Sequence, residues 1–179
     1  IGMTRPGSRT GARATSISEM TMAEPVAARH LLNPSCLVAL GFGSGLFPVA
    51  PGTAGTLAAI PLYLLLQDLP ESVYLAVVMV LLLGGILVCA YTAERLGVHD
   101  HPAIVWDEVV GYLTTMTAVP AGWMWVVAGF ILFRLFDILK PWPISWVDRR
   151  VHGGIGIMLD DVIAGVFAAV VLQVMVHFL

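Results

Sequence analysis

Lys140-Pro-Trp-Pro-Ile-Ser-Trp-Val-Asp-Arg-Arg-Val-His-Gly-Gly-Ile-Gly-Ile-Met-Leu-Asp-Asp161 is a polar stretch set between two strongly apolar segments. With Arg134 just upstream it carries four of the nine Lys and Arg residues, in a 179-residue chain that is 58% hydrophobic and 12% charged. That much apolar surface exceeds what a soluble domain of this length can bury, so the composition predicts an integral membrane protein. The polar stretch then reads as a loop at one membrane face, joining two spanning helices. Charge concentrated at one place in an oily chain calls for a functional reason.

Outward from this loop, the chain divides into apolar segments and short turns. Trp123 to Leu139 precedes the loop, with Arg134, Asp137 and Lys140 spaced by threes along one helical face. Val162 to Leu179 follows it. Val119-Pro-Ala-Gly122 is a turn, before which an apolar run opens at Trp106-Asp107-Glu108. Val73 to Ala93 is the cleanest spanning helix, and Asp68-Leu-Pro-Glu71 is a tight turn. An earlier helix runs to Leu69 with a kink expected at Pro61, capped by Thr53 or Thr56. Leu37 to Leu46 is too short to span and is expected to be re-entrant, leading into the glycine-proline loop Gly41 to Thr56. Residues 1–30 read as a flexible basic tail without a secretory leader, and Met3, Met20 and Met22 are each candidate starts. Residues 31–179 form one membrane domain.

The fold class expected is therefore all-α: a polytopic helical bundle of about five crossings plus the short re-entrant helix. If the tail is cytoplasmic, the basic residues fall in the tail, in the cytoplasmic loops or within two turns of them, as the positive-inside rule requires. Three helix N-termini, at Gly52-Thr53, Asp107-Glu108 and Asp160-Asp161, then face the cytoplasm, where free N–H groups receive anions. Glu108 and Arg134 are equally distant in sequence from the turn at Ala121, which predicts similar depth on neighbouring helices.

Net charge is −3, which gives no basic field for nucleic acid. The two cysteines, Cys36 and Cys89, lie in apolar surroundings. Cys89 to Arg95 has the spacing of a phosphatase loop, but the intervening residues read as helix.

Asp107, Glu108, Asp160 and Asp161 can supply oxygen ligands to a hard divalent cation such as Mg²⁺. Adjacent acids on a helix point about 100° apart, so one of each pair would face the ion and the other would cap or pair. Arg134, Lys140, Arg149 and Arg150 can grip a phosphate, though Arg134 can equally pair with Glu108 or Asp137. Ser44, Gly52 and Thr53 in one glycine-rich loop, and His152 in His152-Gly-Gly-Ile-Gly156, can approach a ligand closely, while glycines also permit tight helix packing. His99, His101 and His152 are candidate proton carriers or structural histidines. Trp142 and Trp146 suit the headgroup level.

These blocks resemble the bacterial phosphatidylglycerophosphatase A family. The resemblance is carried by Gly41-Phe-Gly-Ser-Gly-Leu-Phe-Pro-Val-Ala-Pro-Gly-Thr-Ala-Gly, Val98-His-Asp-His101, Ile104-Val-Trp-Asp-Glu-Val-Val-Gly111, Arg134-x-x-Asp137-x-x-Lys-Pro-Trp-Pro143, and Asp148 to Asp161. It implies a Mg²⁺-dependent phosphatase at the cytoplasmic side of the bacterial inner membrane, converting phosphatidylglycerophosphate to phosphatidylglycerol. It carries the family's acidic pairs onto Asp107-Glu108 and Asp160-Asp161, with Asp137 and Lys140 beside them. On that reading Asp107, Asp160, Asp161 and Lys140 are catalytic, and Arg134 and Lys140 offset charge on the transferring group. The competing expectation is a small transporter or channel, whose charges would gather near the midplane rather than at one face.

Overall fold

The computed structural model describes residues 26, 28–98 and 101–178. Among these the protein is entirely helical. A short turn of helix, α1 (Ala28–Leu31), leads to α2 (Pro34–Ala39), whose N-terminus is capped by Asn33 through its side-chain oxygen to the amides of Ser35 and Cys36. A tight 3-10 segment, Gly41–Leu46, bends the chain into α3 (Pro51–Leu66). Then come α4 (Glu71–Leu96), α5 (Trp106–Thr115), α6 (Trp123–Leu139), α7 (Ile144–Arg150) and α8 (Gly153–Phe178). The basic tail falls almost entirely, and His99 and Asp100 wholly, outside the described residues.

Two helices, α4 and α8, are long and apolar enough to cross a membrane, at 26 residues each. At 1.5 Å per residue they reach about 39 Å, more than a hydrocarbon core of about 30 Å. Only 22% of the apolar window of α4 is buried in the protein. Val80, Leu83 and Leu87 instead point outward. The core helix of a soluble protein would hide that face. The other segments expected to cross are shorter, with 16 residues in α3, 10 in α5 and 17 in α6. Five full-length spans are therefore not what the helix lengths provide.

At the centre is α8, which packs against α4, α5, α6 and α7. Its crossing with α5 is made close by glycine: a Cβ at Gly165 would collide with Gly111 O, and one at Gly111 would lie 2.9 Å from Asp161 O and closer still to the Phe133 ring. Small residues let helix backbones approach in a membrane, where apolar burial alone does not drive helices together. Gly111 lies one turn beyond Asp107 and Gly165 one turn beyond Asp161, so this crossing brings the two acids together. Around it the core holds Tyr112, Leu113, Phe133, Met158 and Leu172, all fully buried. The phenols of Tyr74 and Tyr112 donate to Leu113 O (2.6 Å) and Val126 O (3.1 Å), which satisfies them inside an apolar interior.

Three local expectations are corrected. Neither Thr53 nor Thr56 caps α3. The helix starts at Pro51, where a fixed φ suits the first turn, after Ala50 in a left-handed conformation (φ 52°). Thr56 is inside, donating to Gly52 O. The helix runs through Pro61 and ends at Leu66, short of the expected Leu69. Second, α8 begins at Gly153, so Asp160 and Asp161 lie two turns inside it and are no N-terminal acids. Third, the loop after α6 holds the helix α7.

Candidate active site

At one end of the bundle, α3, α5, α6 and α8 surround a cavity of about 370 Å³ lined by Gly52, Asp107, Glu108, Arg134, Asp137, Lys140, Asp160 and Asp161, with Ala50, Pro51, Pro102, Ile104, Ile138 and Ile157. Each charged group arrives by a separate route. Asp107 and Glu108 stand in the first turn of α5, beside amides that lack helical partners. Arg134 and Asp137 share a face of α6 and form an ion pair, and Arg134 Nη1 is also 3.9 Å from Glu108 Oε1. Glu108 and Arg134 are thus neighbours at one depth, as their sequence distances from the hairpin turn predict. Gly52 forms part of the wall, where a Cβ would collide with Glu108 Oε1 and lie 3.1 Å from Arg134 Nη1.

Asp107, Glu108 and Asp161 each place a carboxylate oxygen so that all three lie within 4.8 Å of one another. Asp107 Oδ1, Glu108 Oε2 and Asp161 Oδ2 are buried with no hydrogen-bond donor among the described residues. Hard, acceptor-only oxygens gathered and left without donors fit a hard divalent cation. A bare cluster of negative charge would otherwise be costly to bury.

Asp160 goes elsewhere. Its Oδ2 accepts from Lys140 Nζ at 2.6 Å, and the same ammonium donates to Asp148 Oδ1 at 2.6 Å. Lys140 follows the last turn of α6 in a left-handed conformation (φ 40°), and its side chain reaches Asp160, two turns into α8. Burial works against the ammonium, but its hydrogen bonds to Asp148 and Asp160 and their charges outweigh this and hold its pKa above the usual lysine range. Lys140 therefore stays protonated throughout the neutral range.

Arg149 and His152 do not line this cavity. They line an adjoining one of about 280 Å³ with Asp148, Val151, Gly156, Ile157 and Asp160, so that Ile157 and Asp160 are walls of both. Ser44 lies outside both cavities, its hydroxyl donating to Gly41 O at 2.8 Å. Thr53 is likewise absent from either lining. Most of the glycine-rich loop serves packing: a Cβ at Gly45 would strike Ala103 O, and one at Gly55 would strike Val105. His101 is a turn residue, its Nδ1 accepting from the amide of Ala103 at 3.1 Å. Cys36 and Cys89 are buried free thiols, and Cys89 and Arg95 both lie within α4. Asp148 is the residue the sequence reading missed. Its partnership with Lys140 depends on a left-handed residue and on α7, which no fixed spacing encodes.

Clustered carboxylates that fit a hard cation, faced by an arginine and a protonated lysine, make an arrangement that suits an anionic, oxygen-rich group such as a phosphate. The family model described as Phosphatidylglycerophosphatase A matches residues 37–176. The chain belongs to this family and is a phosphatase. It is 53% identical over 146 residues to phosphatidylglycerophosphatase A of Escherichia coli K12, covering 81% of this chain and 85% of that protein. To the Haemophilus influenzae protein of the same name it is 46% identical over 154 residues, covering 85% and 94%. A Bacteroides thetaiotaomicron relative, named provisionally as a phosphatidylinositol-3-phosphatase, is 40% identical over 145 residues, covering 77% and 91%. No solved structure matches the chain significantly.

Proposed function

We propose that this protein hydrolyses the terminal phosphate of phosphatidylglycerophosphate to give phosphatidylglycerol and phosphate, with Mg²⁺ as cofactor. The two most similar relatives named above carry that activity in their names. The observation that carries the reading is the cluster of Asp107, Glu108 and Asp161, with its donor-free buried oxygens, beside Arg134 and Lys140. A transporter is not favoured, since the charges gather at one end of the bundle in a chain of a phosphatase family.

Asp107, Glu108 and Asp161 would hold Mg²⁺, which supplies positive charge against the phosphate and its attacking water. Arg134 offers the phosphate oxygens its guanidinium, whose Nε is buried without an acceptor among the described residues. Asp137, paired with Arg134, fixes the direction of that guanidinium. Lys140 has a third N–H beyond the two it gives to Asp148 and Asp160, and directs it at charge growing on the leaving oxygen. Because Lys140 holds its proton, it acts as a fixed charge, and proton transfer falls to a carboxylate of the cavity or to solvent.

The protein is read as crossing the bacterial inner membrane several times, with the site at the cytoplasmic face. Five crossing segments are built from α3, α4, α5, α6 and α8. The positions of the basic residues support this orientation, and exposed Trp142 and Trp146 next to the site suit the headgroup level. The shortness of α5 supports a site below that level, where a lipid headgroup can reach it from the side.

Phosphate release from phosphatidylglycerophosphate in detergent, with and without Mg²⁺, tests the assignment. Release that requires Mg²⁺ and is abolished by Asp107→Asn or Asp161→Asn in folded protein is the expected result. No release from the wild type, or variants equal to it, overturns the reading.

A further inference from the structure

The cavity beside α7 differs in charge from the acidic one. Arg149 and His152 offer donors, while Asp148 and Asp160 both face the ammonium of Lys140. Counted together, Arg149 and Lys140 balance Asp148 and Asp160. A near-neutral pocket with both donors and acceptors does not suit a phosphate dianion. It suits a singly charged phosphodiester carrying a hydroxyl.

The substrate proposed above has such a group, one glycerol away from its terminal phosphate. The two cavities meet at Asp160 and Ile157. Trp146 lies on the same short helix as Arg149, and the Arg150 guanidinium is 5.6 Å from the centre of its ring. This arrangement sets the pocket at the level where a lipid's own phosphodiester lies.

We propose that the pocket of Asp148, Arg149 and His152 receives the phosphodiester and linking glycerol of the headgroup whose terminal phosphate occupies the acidic cavity. This rests on the substrate assignment above. Arg149 and His152 donate to the non-bridging diester oxygens, and the free glycerol hydroxyl donates to Asp148. The pocket is then the specificity element. A lipid phosphate without the second glycerol forgoes the contacts to Arg149, His152 and Asp148 and binds more weakly.

The test uses the full chain in detergent with Mg²⁺, and two probes: dihexanoyl phosphatidylglycerol, which has the diester and glycerol only, and inorganic phosphate. Losing a charge-assisted hydrogen bond in Arg149→Gln is expected to raise KM for phosphatidylglycerophosphate about tenfold and to weaken inhibition by dihexanoyl phosphatidylglycerol as much. Inhibition by inorganic phosphate is expected to stay unchanged, and Arg149→Lys to recover part of the loss. Equal weakening of both inhibitors, or of neither, overturns the proposal. Calorimetric titration of dihexanoyl phosphatidylglycerol reads the pocket without turnover. Binding that depends on Arg149 in a protein that releases no phosphate would sink the reaction assignment and keep the pocket, whereas no binding to the wild type sinks the pocket.

Discussion

The two cavities share a wall and are built on opposite logic. In the acidic one, three carboxylates lie close together with buried oxygens that lack donors among the described residues, an arrangement that fits the cation we propose for it. In the other, the two acids of the wall, Asp148 and Asp160, are each matched by the ammonium of Lys140, which reaches them from the acidic cavity. A polar group buried in a bundle is tolerated when it is matched, and a mismatch marks where a ligand belongs. The difference separates a place for chemistry from a place for recognition.

The largest effect should come from breaking the mismatched side. Asp161→Asn and Asp107→Asn are each expected to lower kcat by about a thousandfold or more, since they remove anionic ligands from a site for a charge-stabilising metal. Thermal unfolding of these variants without Mg²⁺ should show no loss of stability, because removing one of several clustered like charges relieves repulsion. A large fall in melting temperature would mean that the acids serve the fold.

Filling the wall between α3 and the cluster comes next. Gly52→Ala places a methyl against Glu108 and Arg134, and kcat should fall about tenfold to a hundredfold through misplacement of the reacting groups. Wild-type activity in this variant would show that the cavity accommodates more than its geometry allows.

Lys140→Met attacks the matched side. Because the folded pKa of Lys140 lies above its ordinary value, its electrostatic contribution is complete below that ordinary value and is lost only as pH rises through the folded one. Between about pH 5 and 9 the variant should therefore lower the pH–rate profile without moving its limbs. A displaced limb would make Lys140 a proton donor. The smallest effect is expected from Ala50→Gly, which relieves a left-handed alanine and should raise stability by about 1 kcal/mol, measured by denaturation in detergent. Deleting the residues before Met22 should leave specific activity within about twofold, the change expected of substitutions remote from the chemistry. A larger loss would give the tail a role.

Where apolar runs end in clear punctuation, the sequence was enough. The segment Trp123–Leu139 is one helix with the bounds its pattern indicates, and the run Val73 to Ala93 lies inside Glu71–Leu96. Where glycine is used for contact and not for a turn, the sequence misled. Gly153-Gly-Ile-Gly156 reads as a loop, yet it opens α8: a Cβ at Gly154 would strike Ile86 O and one at Gly156 would strike Val151 O. Helix propensity gave way there to close backbone packing. In the site, the cluster residues were legible because buried acids are rare in oily helices. The role of each acid in a pair was not, because it depends on how α8 is rotated about its axis.

That rotation has a consequence of its own. Asp160 and Asp161 are consecutive, so they diverge by about 100°: both line the acidic cavity, and of the two only Asp160 also lines the pocket of Arg149 and His152. The spacing between chambers is thereby written into the backbone as a single peptide unit. A one-residue deletion between Gly156 and Asp160 would turn the helix like a key by the same angle, carrying Asp161 toward the position Asp160 had held. If the proposed ligand spans both cavities, the backbone of one helix sets the distance between its two ends.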